Sequence, residues 1–133
     1  MQDIIHSKIK RTVNGIAEAY GAEVDLDLNI GYPVTKNDLE LTKAMIPALY
    51  QAAGEQNVII TAASTGAEDF SFFANKVPSL YWFTGGRPSN ISSNEATPHH
   101  TPDFYIDESG LLTGVRAMAQ VATLYMKNNI PTR

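Results

Sequence analysis

Residues 58–84, VIITAASTGAEDFSFFANKVPSLYWFT, decide the fold class. They open on Val58-Ile59-Ile60-Thr61-Ala62-Ala63 and close on Ser79-Leu80-Tyr81-Trp82-Phe83-Thr84. Both runs are short, rich in β-branched or aromatic residues, and apolar through their centres. That pattern predicts strands buried on both faces, as in a parallel sheet covered by helices. Between them, Glu68 to Asn75 reads as a short helix with two acids in its first turn.

Upstream of this block, Asn37-Asp38 reads as a helix start, with Asp38 and Glu40 placed to favour the positive end of the helix dipole. Leu41, Ala44, Met45, Ala48, Leu49 and Ala52 supply the apolar face, and Gly54 ends the element. Pro47 lies inside this pattern and lacks a backbone donor, so a kink or a late first turn is expected. Downstream, Gly85 to Pro98 is a polar loop without period, long enough to suggest a functional role. Asp107 is placed to cap a last helix, whose main stripe is Leu111, Val115, Met118, Ala122 and Tyr125, widened by Leu112, Ala119 and Met126.

The N-terminal region is a separate pattern. Ile5, Ile9, Val13, Ile16, Ala17 and Tyr20 recur at steps of three and four, which predicts one apolar face of a helix stopped by Gly21. Residues 24–30 then alternate strictly from Val24 to Ile30, which predicts a half-buried strand. Gly31-Tyr32-Pro33 breaks it. The order is helix–strand, break, then helix–strand–helix–strand–loop–helix. The second block alternates like an α/β layer fold. A lone helix–strand pair cannot bury its own apolar face, so the first block either packs on the second or has partners elsewhere.

Composition narrows the function classes. The chain has 133 residues, 44% of them hydrophobic, which is the size and composition of one globular domain. Ten Lys and Arg against fourteen Asp and Glu give a net charge of −4. With no basic run, a nucleic-acid footprint is not expected. No apolar stretch is long enough to span a bilayer, and no signal-peptide pattern opens the chain. With no cysteine, there is no disulfide, thiolate metal site or cysteine nucleophile.

Few residues could carry chemistry. His99 and His100 sit at the end of the long loop, where a neutral imidazole could ligate a metal. In an extended segment successive side chains oppose, so at most one would enter a given site. Two solvated loop histidines fit the same spacing. His6 lies off the apolar stripe of its helix and is expected to be solvated. Glu68 and Asp69, after Gly66-Ala67, read either as carboxylates beside a ligand or as acids stabilising a helix N-terminus. Gly85-Gly86 lacks phosphate-loop spacing, and Ser64-Thr65-Gly66 has no nucleophile-elbow pattern. One plausible ligand does not make an active site.

Taken together, Gly66-Ala67-Glu68-Asp69-Phe70, Pro98-His99-His100-Thr101-Pro102-Asp103-Phe104, and a final acid-started helix with Gly110 and Gly114 form an ordered set. It resembles the C-terminal part of the metal-dependent amidohydrolases that include aminoacylase-like, hippurate hydrolase-like and plant auxin-conjugate hydrolase-like enzymes. Tyr20-Gly21-Ala22-Glu23 and the segment from Gly31-Tyr32-Pro33 to Asn37-Asp38 extend the resemblance over nearly the whole chain.

The resemblance implies a zinc-peptidase-like α/β catalytic domain ending at 33–133, preceded at 1–32 by a helix–strand remnant of an α/β lid, or dimerisation, domain. It implies cleavage of the amide bond of N-acyl amino acids or small peptides by a pair of divalent metals (zinc, manganese or cobalt), which polarise the carbonyl and supply hydroxide. The family's metal-binding histidine is followed by one residue and then proline, which assigns the role to His100. Gly66, Glu68 and Asp69 would border the substrate. The remaining ligands and the catalytic glutamate lie in the family's N-terminal part, so this chain is expected to be a fragment, inactive alone. It is expected to form a homo-oligomer, with neither nucleic acid nor membrane as a partner. The alternative is a non-catalytic binding or assembly module of the same fold; a small protein binding metal through His99 and His100 is a weaker third. The upstream reading frame discriminates them: His-x-Asp or Cys-x-His with a Glu-Glu pair supports the enzyme, a stop codon the module.

Overall fold

A computed structural model describes residues 1–129 of the chain. The last four residues of the block expected at 33–133 lie outside the described ones. The chain divides into two compact units, Met1–Gly31 and Tyr32–Arg133. Among the described residues no helix is long and apolar enough to cross a membrane.

The first unit holds one long helix, α1 (Gln2–Ala19). Its end is set by Gly21, whose φ of +63° suits a residue without a Cβ. Gly21 N donates to Glu18 O at 3.1 Å and Ala22 N to Ala17 O at 2.9 Å, the paired bonds of a Schellman stop. No residue of α1 is fully buried. Ile4 and Ile16 are 60% and 57% exposed, and His6, expected to be solvated, is half-buried.

In the second unit α2 (Leu39–Ala53) packs against α4 (Leu111–Asn129). Asp38 caps α2 as expected, its Oδ1 accepting from Leu41 N at 2.8 Å. The helix starts eight residues before Pro47 and runs through it, so the expected late first turn does not occur. Proline's missing donor falls on an exposed position. The core is formed by Met45, Ala48 and Leu49 of α2 and Ala117 of α4. The face α4 turns inward is therefore displaced from the expected stripe: Val115 and Met118 are 66% and 63% exposed. Ala117 is the buried residue of α4, and Gly114 and Val121 are half-buried.

A four-residue helix, α3 (Ser71–Ala74), lies where a helix was expected over 68–75. Glu68 and Asp69 precede it instead of filling its first turn. A 3-10 turn, Glu108–Gly110, leads into α4, and Asp107 caps that turn by accepting from Ser109 N at 2.9 Å.

The three expected strands are not formed: residues 24–30, 58–63 and 79–84 carry no regular secondary structure, and the described residues contain no strand. A strand exists through a ladder to a neighbour, and these segments do not pair with one another. Ile60, expected inside a sheet, is 96% exposed. The 79–81 stretch finds partners that are not a strand. Asp38 N donates to Ser79 O at 2.9 Å, and the Asn37 side chain takes both backbone groups of Tyr81.

Candidate functional site

The His99-His100 pair closes the long loop in a tight turn. Thr101 Oγ1 donates to Pro98 O at 2.8 Å, and Phe104 N donates to Thr101 O at 3.1 Å. His100 has φ +63°, the one non-glycine residue in the left-handed region among those described. That conformation is uncommon for a residue with a Cβ and is held here by the surrounding turn. The backbone at the pair is thus not extended. The two rings lie 6.5 Å apart, and the His99 ring packs on Phe104 at 4.8 Å. His100 is exposed and makes no recorded hydrogen bond among the described residues. Both histidines are exposed, and the His99 ring contacts both Phe104 and the His100 ring.

Glu68 is anchored at both oxygens. Its Oε1 accepts from Phe70 N at 3.2 Å, and its Oε2 accepts from the Tyr81 hydroxyl at 2.8 Å. The Phe70 N–H, followed by the Tyr81 hydroxyl, holds the carboxyl below its ordinary value, since both donate to the charged form. The same bond to Glu68 raises the Tyr81 phenol. Asp69 is exposed, and its backbone carbonyl accepts from Phe72 N at 3.0 Å at the entry to α3. Gly66 N lies 3.4 Å from Ser64 Oγ, a long contact, and a Cβ there would meet only that oxygen at 3.6 Å. Gly66 thus has no steric need to be glycine.

Tyr81 and Asn37, to which the sequence assigned no role at the site, organise this region. Asn37 Nδ2 donates to Tyr81 O at 2.8 Å, and Tyr81 N donates to Asn37 Oδ1 at 2.7 Å. The Tyr81 ring sits 5.3 Å from both Phe70 and Phe83. A signal was present. Within an aromatic run, tyrosine alone carries a hydroxyl that seeks a partner when half-buried, and Glu68 is the acid it finds.

The base of the long loop is fixed from below. Asp107 N donates to Gly86 O at 2.6 Å, and Gly110 passes so close to Gly85 that a Cβ would lie 2.5 Å from its carbonyl oxygen. Inside the loop, Ser92 Oγ donates to Glu95 Oε2 at 2.7 Å and holds Glu95 below the usual carboxylate range.

No hydrogen bond or ring contact among the described residues joins His100 to Gly66, Glu68 or Asp69. They hold no group of three or more His, Cys, Asp or Glu that could bind a metal ion. An open catalytic zinc takes about three protein ligands. These residues do not fit a metal pair by themselves; His100 would contribute one donor. An apolar groove of about 530 Å³ is lined by Leu41 and Met45 of α2, Met118 and Tyr125 of α4, and Phe70 and Tyr81, the two residues bonded to Glu68.

The family pattern described as peptidase family M20/M25/M40 matches residues 4–124. A putative amidohydrolase, YhaA, of Bacillus subtilis is 30% identical over 125 residues, 94% of this chain and 31% of that protein. Thermostable carboxypeptidase 2 of Saccharolobus solfataricus is 34% identical over 86% of this chain and 28% of its own length. An N-acetyldiaminopimelate deacetylase of Lactiplantibacillus plantarum is 30% identical over 90% of this chain and 29% of its own. The chain spans about a third of the length of the curated relatives it matches, 31% and 32% for two of them. No solved structure matches.

Proposed function

The chain belongs to peptidase family M20/M25/M40, and we propose that it is the C-terminal part of a metal-dependent amidohydrolase cleaving the amide bond of N-acyl amino acids or small peptides. The observation that carries this reading is the family match over 4–124, which takes in every motif of the ordered set. The similar proteins named an amidohydrolase, a deacetylase and a carboxypeptidase share hydrolysis of an amide-type bond as their common chemistry.

Within that reading residues 33–133 close an α/β catalytic domain, whose remaining strands would ladder with 58–63 and 79–84 and cover Ile60. Residues 1–32 are the end of a lid domain that joins two copies. His100 is a ligand of one metal, zinc, manganese or cobalt; its place before Pro102, with Thr101 between, supports this. Gly66, Glu68 and Asp69 border the substrate.

The test is release of free amino acid from a panel of N-acetyl and N-benzoyl amino acids with added zinc, manganese or cobalt. Residues 1–133 alone give no turnover. The polypeptide that supplies the remaining ligands turns over, loses one metal and most of its kcat in His100→Ala, and keeps both in His99→Ala. Metal-dependent turnover by residues 1–133 alone that vanishes in His100→Ala overturns the fragment reading. Equal loss in the two histidine variants overturns the ligand assignment.

A further inference from the structure

We propose that Glu68 is a positioning residue: Tyr81, itself clamped by Asn37, locks the Glu68 carboxylate and so sets the shape in which Gly66-Ala67-Glu68-Asp69 meets the substrate. The proposal rests on the reading that this segment borders the site. Its geometry stands independently. Each oxygen of Glu68 already accepts a hydrogen bond, from Phe70 N at 3.2 Å and from the Tyr81 hydroxyl at 2.8 Å. These bonds take one lone pair on each oxygen and fix the direction in which the carboxylate points. Tyr81 cannot follow such a change easily, because its own N–H and C=O are held by one side chain, at 2.7 and 2.8 Å to Asn37. Its ring is flanked by Phe70 and Phe83, each 5.3 Å away. The chain of contacts runs Asn37, Tyr81, Glu68, Phe70, and it ties the segment before α3 to the 79–81 stretch and to the start of α2.

The chemistry of Glu68 agrees. A general base works best with a pKa near the working pH. The donors around Glu68 move it the other way, to a weaker base. Asp69, adjacent in sequence, adds to that effect through its side chain and its backbone N–H.

The experiment compares Glu68→Gln, Glu68→Ala, Tyr81→Phe and the double variant Tyr81→Phe/Glu68→Ala in the polypeptide in which hydrolysis is measured. Glutamine can still accept from Phe70 N–H, and its amide can donate to the Tyr81 oxygen, so Glu68→Gln raises KM several-fold less than Glu68→Ala. Glu68→Ala and Tyr81→Phe each raise KM about tenfold with kcat within about threefold, and the double variant is no worse than Glu68→Ala alone, because the two residues act as one unit. A Glu68→Gln variant as damaged as Glu68→Ala, or single effects that multiply in the double variant, overturns the proposal: the charge itself then meets the substrate.

A second readout does not need activity. The Phe70 amide resonance follows Glu68 ionisation in the acid range, and in Tyr81→Phe its midpoint moves up toward the ordinary 4.5. An unmoved midpoint overturns the lock. If the parent polypeptide hydrolyses none of the panel while the midpoint moves, the lock stands and the amidohydrolase reading fails.

Discussion

Asn37 stands beside Tyr81 as a neighbouring strand would. Its amide nitrogen donates to Tyr81 O at 2.8 Å, and its amide oxygen accepts from Tyr81 N at 2.7 Å. A carboxamide carries the same donor and acceptor as a peptide group, so one side chain satisfies both backbone groups of a residue that no ladder reaches. Asp38 N adds a third bond, to Ser79 O at 2.9 Å. The loop before α2 is thereby fastened to the 79–81 stretch, and the α2 cap at Asp38 is set in the same place.

Replacing Asn37 therefore loosens two things together. Asn37→Ala removes both bonds and costs about 1–2 kcal/mol, since exposed hydrogen bonds contribute roughly 1 kcal/mol each. Asn37→Asp costs more despite its similar shape. A carboxylate cannot donate to Tyr81 O, and its negative oxygen faces that carbonyl. Urea unfolding with Trp82 fluorescence ranks the parent above Asn37→Ala, and Asn37→Ala above Asn37→Asp. An aspartate variant as stable as the parent would show that the carbonyl bond contributes nothing.

The helices were legible because their signals are local. Asp38 caps α2, Gly21 stops α1, and Met45, Ala48 and Leu49 lie buried on the face their spacing marks. The strands failed because a strand needs a partner, and Ile59 and Ile60 have none among the described residues, however β-prone they are. Periodicity misjudged α4 for another reason. It carries two adjacent apolar stripes, and Ala117 is buried where Val115 and Met118 were expected to be. At the candidate site, the motifs pointed to His100 and Glu68. They could not show that the backbone of His100 turns left-handed or that Tyr81 reaches Glu68, since both depend on residues distant in sequence or on turn geometry.

Acid should loosen the region around Tyr81 before neutral pH does. Glu68 and Glu95 sit below their ordinary 4.5, and Asp107 below its ordinary 3.8, each because backbone or hydroxyl donors bond the charged form. A depressed folded pKa contributes stability that is complete above the unfolded value and is lost as pH falls through the folded one. Tyr81 runs oppositely: raised above 10.0, it contributes below that value and loses its contribution as pH rises through the folded pKa. The unfolding midpoint is thus flat from about pH 5 to 9 and falls on both sides. Tyr81→Phe flattens the alkaline fall and weakens the acid one. An unchanged acid limb in that variant would remove Tyr81 from the account.

Two glycines near the start of α4 should respond in opposite directions. A Cβ at Gly110 would lie 2.5 Å from the Gly85 carbonyl oxygen, a backbone atom that cannot swing aside. Gly110→Ala therefore forces the loop base apart and costs about 1–3 kcal/mol. At Gly114, inside α4, the nearest atom would be Thr84 Oγ1 at 3.6 Å, an ordinary contact. Gly114→Ala gains most of the roughly 0.8–1.0 kcal/mol by which alanine exceeds glycine in a helix. Thermal unfolding of both variants checks the pair. A stabilised Gly110→Ala would mean that the turn at 108–110 yields freely.

The apolar faces of residues 1–32 lead to the remaining prediction. Ile4, Ile5 and Ile16 of α1 are 60%, 48% and 57% exposed, and Val24 and Ile30 beyond it are 41% and 65% exposed. Burying such a side chain fully is worth about 1.5–3 kcal/mol, so leaving them all in water is a large loss. The backbone of 24–30 has no ladder and can offer its N–H and C=O groups to a strand edge elsewhere. An identical 24–30 segment in a second copy is equally unpaired, and pairing the two would bury both apolar faces in one symmetric contact. The chain should therefore sediment as a dimer or higher oligomer through residues 1–32, while a form beginning at Tyr32 should sediment as a smaller species. Ile5→Asp/Ile16→Asp, which places charge on the α1 face without touching 24–30, should weaken the association at least tenfold. A full chain that sediments as a monomer at micromolar concentration, with amides of residues 4–30 protected from exchange, would show that these faces are covered within one copy.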